Sequence, residues 1–156
     1  MIRGETPAMT TLPITLTMAG AAALINVWLG IRVSRLRRQH KVSIGHGGKT
    51  QLATRTRAHA NFVEYTPFFL VLVAVIELAQ GPGTWLWAAS ILFILGRLAH
   101  PFGMDRPGAF MLRAAGIVIT WLVLVGLAAY ALSIPYLETP QPVTFASSAT
   151  AVASLA

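Results

Sequence analysis

Arg57, Asn61 and Glu64 stand at i, i+4 and i+7 in the stretch Arg57-Ala58-His59-Ala60-Asn61-Phe62-Val63-Glu64-Tyr65-Thr66-Pro67. On a helix this spacing puts a guanidinium, an amide and a carboxylate on one face. The stretch runs directly into the apolar segment Phe68 to Leu78. Ionisable groups inside a bilayer cost about 2.5–3.5 kcal/mol each on insertion scales, so they usually have a partner or a task. Glu64 lies seven residues beyond Arg57, roughly 10 Å deeper along the helix axis.

Other polar residues fall at the same level. Arg97 and His100 close a third apolar segment, and Arg32 and Arg35 close the first. Arg113 lies one to two turns inside a fourth. Together these residues line a half-bundle that a soluble anionic ligand can enter. Simpler roles stand beside this one. Arg32, Arg35, Arg37 and Arg38 serve equally as basic anchors at a membrane face. Arg57, Arg97 and Arg113 can snorkel to headgroups. Asn61 and Glu64 can form hydrogen bonds between helices. His59 faces away from Asn61 and reads as a packing or interface residue, and Asn26 as an interhelical hydrogen-bonding group. Glu77 lies near the other end of its helix, on a different face from Glu64, and is left out of the site. No spacing of His, Asp or Glu indicates a metal site.

The elements that must hold these groups are four apolar segments: Leu12–Val33, Ala58–Leu78, Thr84–Leu98 and Leu112–Tyr136. The chain has 156 residues, 55% of them hydrophobic and only 11% charged. A soluble domain carries roughly 25% charged residues, and the mean hydropathy of +0.65 also indicates an integral membrane protein. Spans of this length are helical. The first is too long for the core of a signal peptide. Gly81-Pro82-Gly83 and the segment Pro101 to Pro107 read as turns. Short connections make antiparallel neighbours, so the expected fold is all-α, an integral membrane four-helix bundle. Pro67 is expected to kink the second helix. Residues 1–11 form an N-terminal segment, 12–136 the transmembrane domain and 137–156 a disordered tail.

The net charge of +7 does not point to nucleic acid, because its placement follows membrane topology. Eleven of the twelve lysines and arginines flank one end of the segments, and only Arg3 lies at the other. The expected arrangement has the basic loops in the cytoplasm and both termini outside, with Trp85, Trp87, Tyr130 and Tyr136 at the outer interface. The chain has no cysteine, so any thiol chemistry needs a thiol brought by a ligand.

These residues resemble the MAPEG family, membrane-associated proteins in eicosanoid and glutathione metabolism. The likeness lies in Arg57-Ala58-His59-x-Asn61-x-x-Glu64-x-x-Pro67, in Gly96-Arg97-x-x-His100 and in the distance from His100 to Arg113. It covers about residues 12–136. The resemblance implies homotrimers of four-helix subunits that bind glutathione between subunits near the cytoplasmic face. It implies that Arg57, Asn61, Glu64 and His100 are glutathione ligands and that Arg113 is the catalytic residue that stabilises the thiolate. Arg32, Arg35 and Arg97 join the candidate ligands by their level in the bundle. Glutathione has two carboxylates and an ammonium, which suit arginine forks and Glu64 respectively. A nearby guanidinium lowers a thiol's pKa and supplies a nucleophile.

The sequence departs from the eicosanoid enzymes at Ala60, Met104, Ala114 and Ile117, where those enzymes carry an arginine or hydroxyl side chains. A bacterial-type member is therefore the closer likeness, which implies a bacterial inner membrane. The expected function is a glutathione transferase or peroxidase acting on a small lipophilic electrophile. The partners would be a second and third copy of the chain and membrane lipids. The competing reading is a non-enzymatic membrane protein that binds a small anion or serves as an oligomeric scaffold. A small transporter is a weaker third, since neither an internal repeat nor paired helix breaks are visible.

Overall fold

A computed structural model describes residues 11–106 and 108–137. Four helices make up the structure: α1 Pro13–His40, α2 Thr50–Gln80, α3 Thr84–Asp105 and α4 Phe110–Leu137. At 1.5 Å per residue they span about 33–46 Å, enough to cross a hydrocarbon layer of about 30 Å. All four are apolar enough to do so. The expected N-terminal segment and tail fall almost entirely outside the described residues.

The helices outrun the apolar segments at the basic end. α1 continues past Val33 to His40, and α2 begins at Thr50 rather than near Ala58. Arg55 and Arg57 therefore sit on α2 and not in a loop. α4 begins at Phe110, which puts Arg113 in its first turn and not one to two turns inside. The expected turn from Pro101 to Pro107 is also corrected: α3 runs through Pro101 to Asp105. Proline there removes one hydrogen bond near the helix end, where the loss is small and packing retains it. Pro101 is fully buried. Pro67 likewise lies within a continuous α2.

α1 has no side chain of its own to cap its N-terminus; Leu12 occupies the cap position and Pro13 follows. The cap comes from α2. Glu77 accepts bonds from the Ile14 and Thr15 backbone nitrogens, each at 2.8 Å, and from the Thr15 hydroxyl at 2.7 Å. A carboxylate at a helix N-terminus satisfies free N–H groups and the helix dipole together. Glu77 is thus buried yet fully employed. Beside it the main core stacks Phe69 on Phe93 at 3.8 Å, with Ile14, Val73, Ile76, Leu86 and Leu127 around them. Trp85 meets Tyr130 edge to face at the same end.

α3 and α4 form the closest pair, α2 touches all three other helices, and α1 does not touch α4. Only 17% of the most apolar stretch of α4 is buried, against 44% for α3. Much of α4 therefore presents Leu122, Val125 and Leu132 outward, as a lipid-facing or partner-facing surface must.

Candidate functional site at the basic end

Glycines set the distance between α3 and α4. A Cβ on Gly116 would lie 2.7 Å from the Gly96 carbonyl oxygen and 2.8 Å from the His100 nitrogen. One on Gly103 would overlap the backbone of Arg113. Small residues of this kind let helix backbones meet in a membrane. The approach brings the Arg113 carbonyl within 3.2 Å of His100 Nδ1. A carbonyl only accepts, so Nδ1 donates here and Nε2 remains for a ligand.

α2 supplies the facing wall. A cavity of about 360 Å³ lies between Arg57 and Asn61 on α2, His100 on α3 and Arg113 on α4, with Met104, Phe110, Ala114 and Ile117 as its apolar lining. Arg113 is exposed and extends over the Phe110 ring at 5.3 Å. A larger opening of about 600 Å³ shares Met104, Phe110 and Arg113 and adds Thr50, Gln51 and Thr54 from the start of α2. The inner cavity thus borders a wider mouth at the basic end.

Glu64 does not share the buried position of Asn61, although the spacing put the two on one face. Its side chain is 48% exposed and accepts a bond from Arg57 Nη1 at 3.2 Å. Three residues correspond to about 300° of helix rotation, so Glu64 stands about 60° from Asn61. That angle turns Asn61 into the bundle and leaves Glu64 on the outer face with Arg57. Tyr65 beside it accepts a bond from Trp121 Nε1 of α4 at 3.2 Å. A half-exposed ion pair therefore lies on the outer surface of a membrane helix, among exposed Val63 and Phe68.

Arg97 stands behind Asn61. It is fully buried, donating from Nη2 to Asn61 Oδ1 at 2.9 Å and from Nη1 to Thr120 Oγ1 at 3.3 Å. Its guanidinium also lies 5.6 Å and 5.8 Å from the ring centres of Phe62 and Tyr65. The bond to Arg97 fixes the Asn61 amide, because only its oxygen accepts, and leaves the Nδ2 donors for an acceptor on a ligand. Thr120 keeps its register by donating to the Gly116 carbonyl at 2.8 Å.

The remaining expected residues lie apart from the cavity. Arg32 is paired with Asp105 and covers the Trp28 ring at 4.6 Å. Arg55 makes a second, longer contact with Asp105 at 3.4 Å. Asp105 thus ties α1 and α2 to the end of α3. Arg35 is exposed and does not line the cavity. His59 and Asn26 form one hydrogen bond across α1 and α2 at 2.8 Å, which gives each of them a structural role.

Sequence reasoning passed over Thr120 and Asp105. Thr120 carried no signal in a run of apolar residues. Asp105 did carry one, as the sole acidic residue between Glu77 and the end of α4, a stretch with three arginines.

The MAPEG family model matches residues 15–133. The inner membrane protein YecN of Escherichia coli K12 is 35% identical over 105 residues, covering 67% of this chain and 79% of that protein. YecN of Escherichia coli O6:H1 matches with the same figures. The family match takes in all four helices, the α2 motif, the glycine contacts and the cavity between α2, α3 and α4: the chain belongs to the MAPEG family.

Proposed function

We propose that this membrane protein binds glutathione, or a related low-molecular-weight thiol, in the cavity at its basic end and uses it against lipophilic electrophiles as a transferase or peroxidase. One observation carries the reading. Arg57, Asn61, His100 and Arg113, drawn from three helices, converge on a single cavity beside an apolar surface. The two arginines suit the two carboxylates of the thiol tripeptide or its thiolate, and the free Asn61 donors suit another acceptor. Glu64 is the group for the ammonium, and on binding it exchanges part of its contact with Arg57 for the ligand.

The proposed chemistry begins with the thiol losing its proton to water while the Arg113 guanidinium stabilises the thiolate. The sulfur then forms a bond to the electrophilic carbon of a substrate drawn from the bilayer, and the leaving group departs with the displaced electron pair. In the peroxidase variant, two thiols are oxidised to one disulfide as a hydroperoxide is reduced to an alcohol and water.

The outward position of Arg57 and Glu64 favours assembly. A charged pair on an outer membrane face is costly against lipid. A second copy that covers this face removes the cost and closes the site, and three copies is the number that family membership favours. On this reading both basic loops face the cytoplasm, where glutathione is made.

A second reading has one observation behind it. Met104, Ala114 and Ile117 line the cavity without a hydroxyl, so the ligand can be held without turnover. The two are separated by turnover of a model lipophilic electrophile with added glutathione, and the role of Arg113 by the ultraviolet thiolate band at neutral pH. The transferase reading expects the band with the native protein and its loss in Arg113→Leu. Native mass spectrometry should show the trimer in both. A full band in the variant would leave Arg113 as a membrane anchor only.

A further inference from the structure

The C-terminal end of α1 carries a second basic pocket, away from the thiol cavity. It measures about 500 Å³ and is lined by Ser34, Arg37, Arg38, Lys41, Val42 and Ser43. The loop that forms it is built rather than loose. Lys41 adopts a left-handed conformation with φ 55° and closes the helix with its N–H on the Arg38 carbonyl, and the Val42 N–H returns to the Arg37 carbonyl at 3.0 Å. Arg37 Nη1 then donates to the carbonyls of both Ser43 and Gly45 at 3.1 Å. Lys41 and Ser43 are thereby held against Arg37 and Arg38.

Among the described residues these cations have no carboxylate partner. Among the described residues Glu64 pairs with Arg57, Glu77 serves the start of α1, and Asp105 is shared by Arg32 and Arg55. None of the described carboxylates reaches Arg37, Arg38 or Lys41, which leaves these cations available to an anionic ligand.

The face that leads to the pocket is apolar. Leu24, Val27 and Ile31 are 74%, 60% and 43% exposed, and with Ser34 and Arg38 they follow the spacing i, i+3, i+7, i+10 and i+14. That spacing is one continuous stripe of a helix. A membrane span that ends near Val33 places Ser34 to Ser43 at headgroup level.

We infer that this stripe and pocket form a binding site for one anionic phospholipid, with its phosphate among Arg38, Lys41 and Ser34 and an acyl chain along Ile31, Val27 and Leu24. The juxtaposition of a basic pocket with an apolar stripe of acyl-chain length selects a lipid over a soluble phosphate. Basic residues at a membrane surface attract anionic headgroups generally; the fixed loop makes this attraction local.

The test is native mass spectrometry of the whole protein loaded with phosphatidylglycerol or with phosphatidylcholine. The native protein should retain phosphatidylglycerol with roughly tenfold preference, and Arg38→Ala with Lys41→Ala should erase that preference. Lys49→Ala, which removes a cation from the same connection outside the pocket, should keep it. Equal retention of the two lipids by the native protein would overturn the site. So would an equal loss in Lys49→Ala, which would reduce it to general surface charge. Displacement of the bound lipid by millimolar glycerol phosphate would also overturn it, in favour of a soluble phosphate. None of these outcomes depends on thiol binding.

Discussion

Glu64 and Glu77 lie on the same membrane helix, and their surroundings are opposite. Glu77 is 2% exposed and accepts three hydrogen bonds from the start of α1. Glu64 is half exposed and accepts one bond, from an arginine more exposed than itself. The first carboxylate has its capacity filled within the chain. The second has acceptor capacity to spare and contacts Arg57, one wall of a cavity that Asn61, His100 and Arg113 also line. A fully satisfied buried carboxylate holds structure together, and an under-satisfied one elsewhere on the same helix is available for a ligand or a partner copy. The two ends of the bundle follow the same division: aromatic stacking and a borrowed cap at one, separated cations and open volume at the other.

Removal of Glu77 should have the largest effect. Glu77→Ala leaves the first N–H groups of α1 without an acceptor in an apolar setting. The expected loss is about 3 kcal/mol or more, since three bonds to a charged acceptor are involved. Unfolding in mild detergent should show it as a lower midpoint. Glu64→Ala under the same conditions should change stability by less than about 1 kcal/mol, the range of exposed ion pairs. Comparable losses in the two variants would erase the distinction.

Next in size is the contact between α3 and α4. Gly116→Val should cost about 1–3 kcal/mol by overpacking, because its side chain meets backbone atoms of Gly96 and His100. The same change should separate His100 from the Arg113 carbonyl, so thiol binding should weaken beyond what the lost stability explains. Binding measured well below the unfolding midpoint checks this.

A smaller effect is expected from Arg97→Met. Loss of the buried guanidinium relieves its desolvation but leaves Asn61 Oδ1 and Thr120 Oγ1 without that donor. Here the replacement also frees the Asn61 amide to turn. Stability should therefore fall by no more than about 2 kcal/mol, while ligand affinity falls roughly tenfold. Unchanged affinity would show that Asn61 needs no support from behind.

The contrast also explains what could be read without coordinates. Helix number and the α2 motif were legible because membrane spans write their length directly as apolar runs. The ends of the helices were not, because α1 and α2 continue as polar helices past the hydrocarbon, where hydropathy no longer marks them. Pro101 misled for a related reason, since proline usually signals a turn but is tolerated in the last turns of a packed helix. Arg57, Asn61, His100 and Arg113 were legible as a set because their levels matched. Which of the level-matched residues face one another was not. Arg32 is at the right depth yet is taken by Asp105, and Arg97 is at the right depth yet supports Asn61. Rotation about a helix axis, unlike depth, is settled by partners elsewhere in the chain. The role of Glu77 shows the same point, since its partner lies 63 residues away.

The under-satisfied carboxylate and the neighbouring cavity are proposed to form one thiol-ligand site. Calorimetric titration of the detergent-purified protein with reduced glutathione, native against Glu64→Gln, tests it most directly. Saturable binding by the native protein is expected, with an affinity roughly tenfold lower in the variant, the size of one charge-assisted hydrogen bond. Absence of binding by the folded native protein, or the same affinity in both, would contradict it.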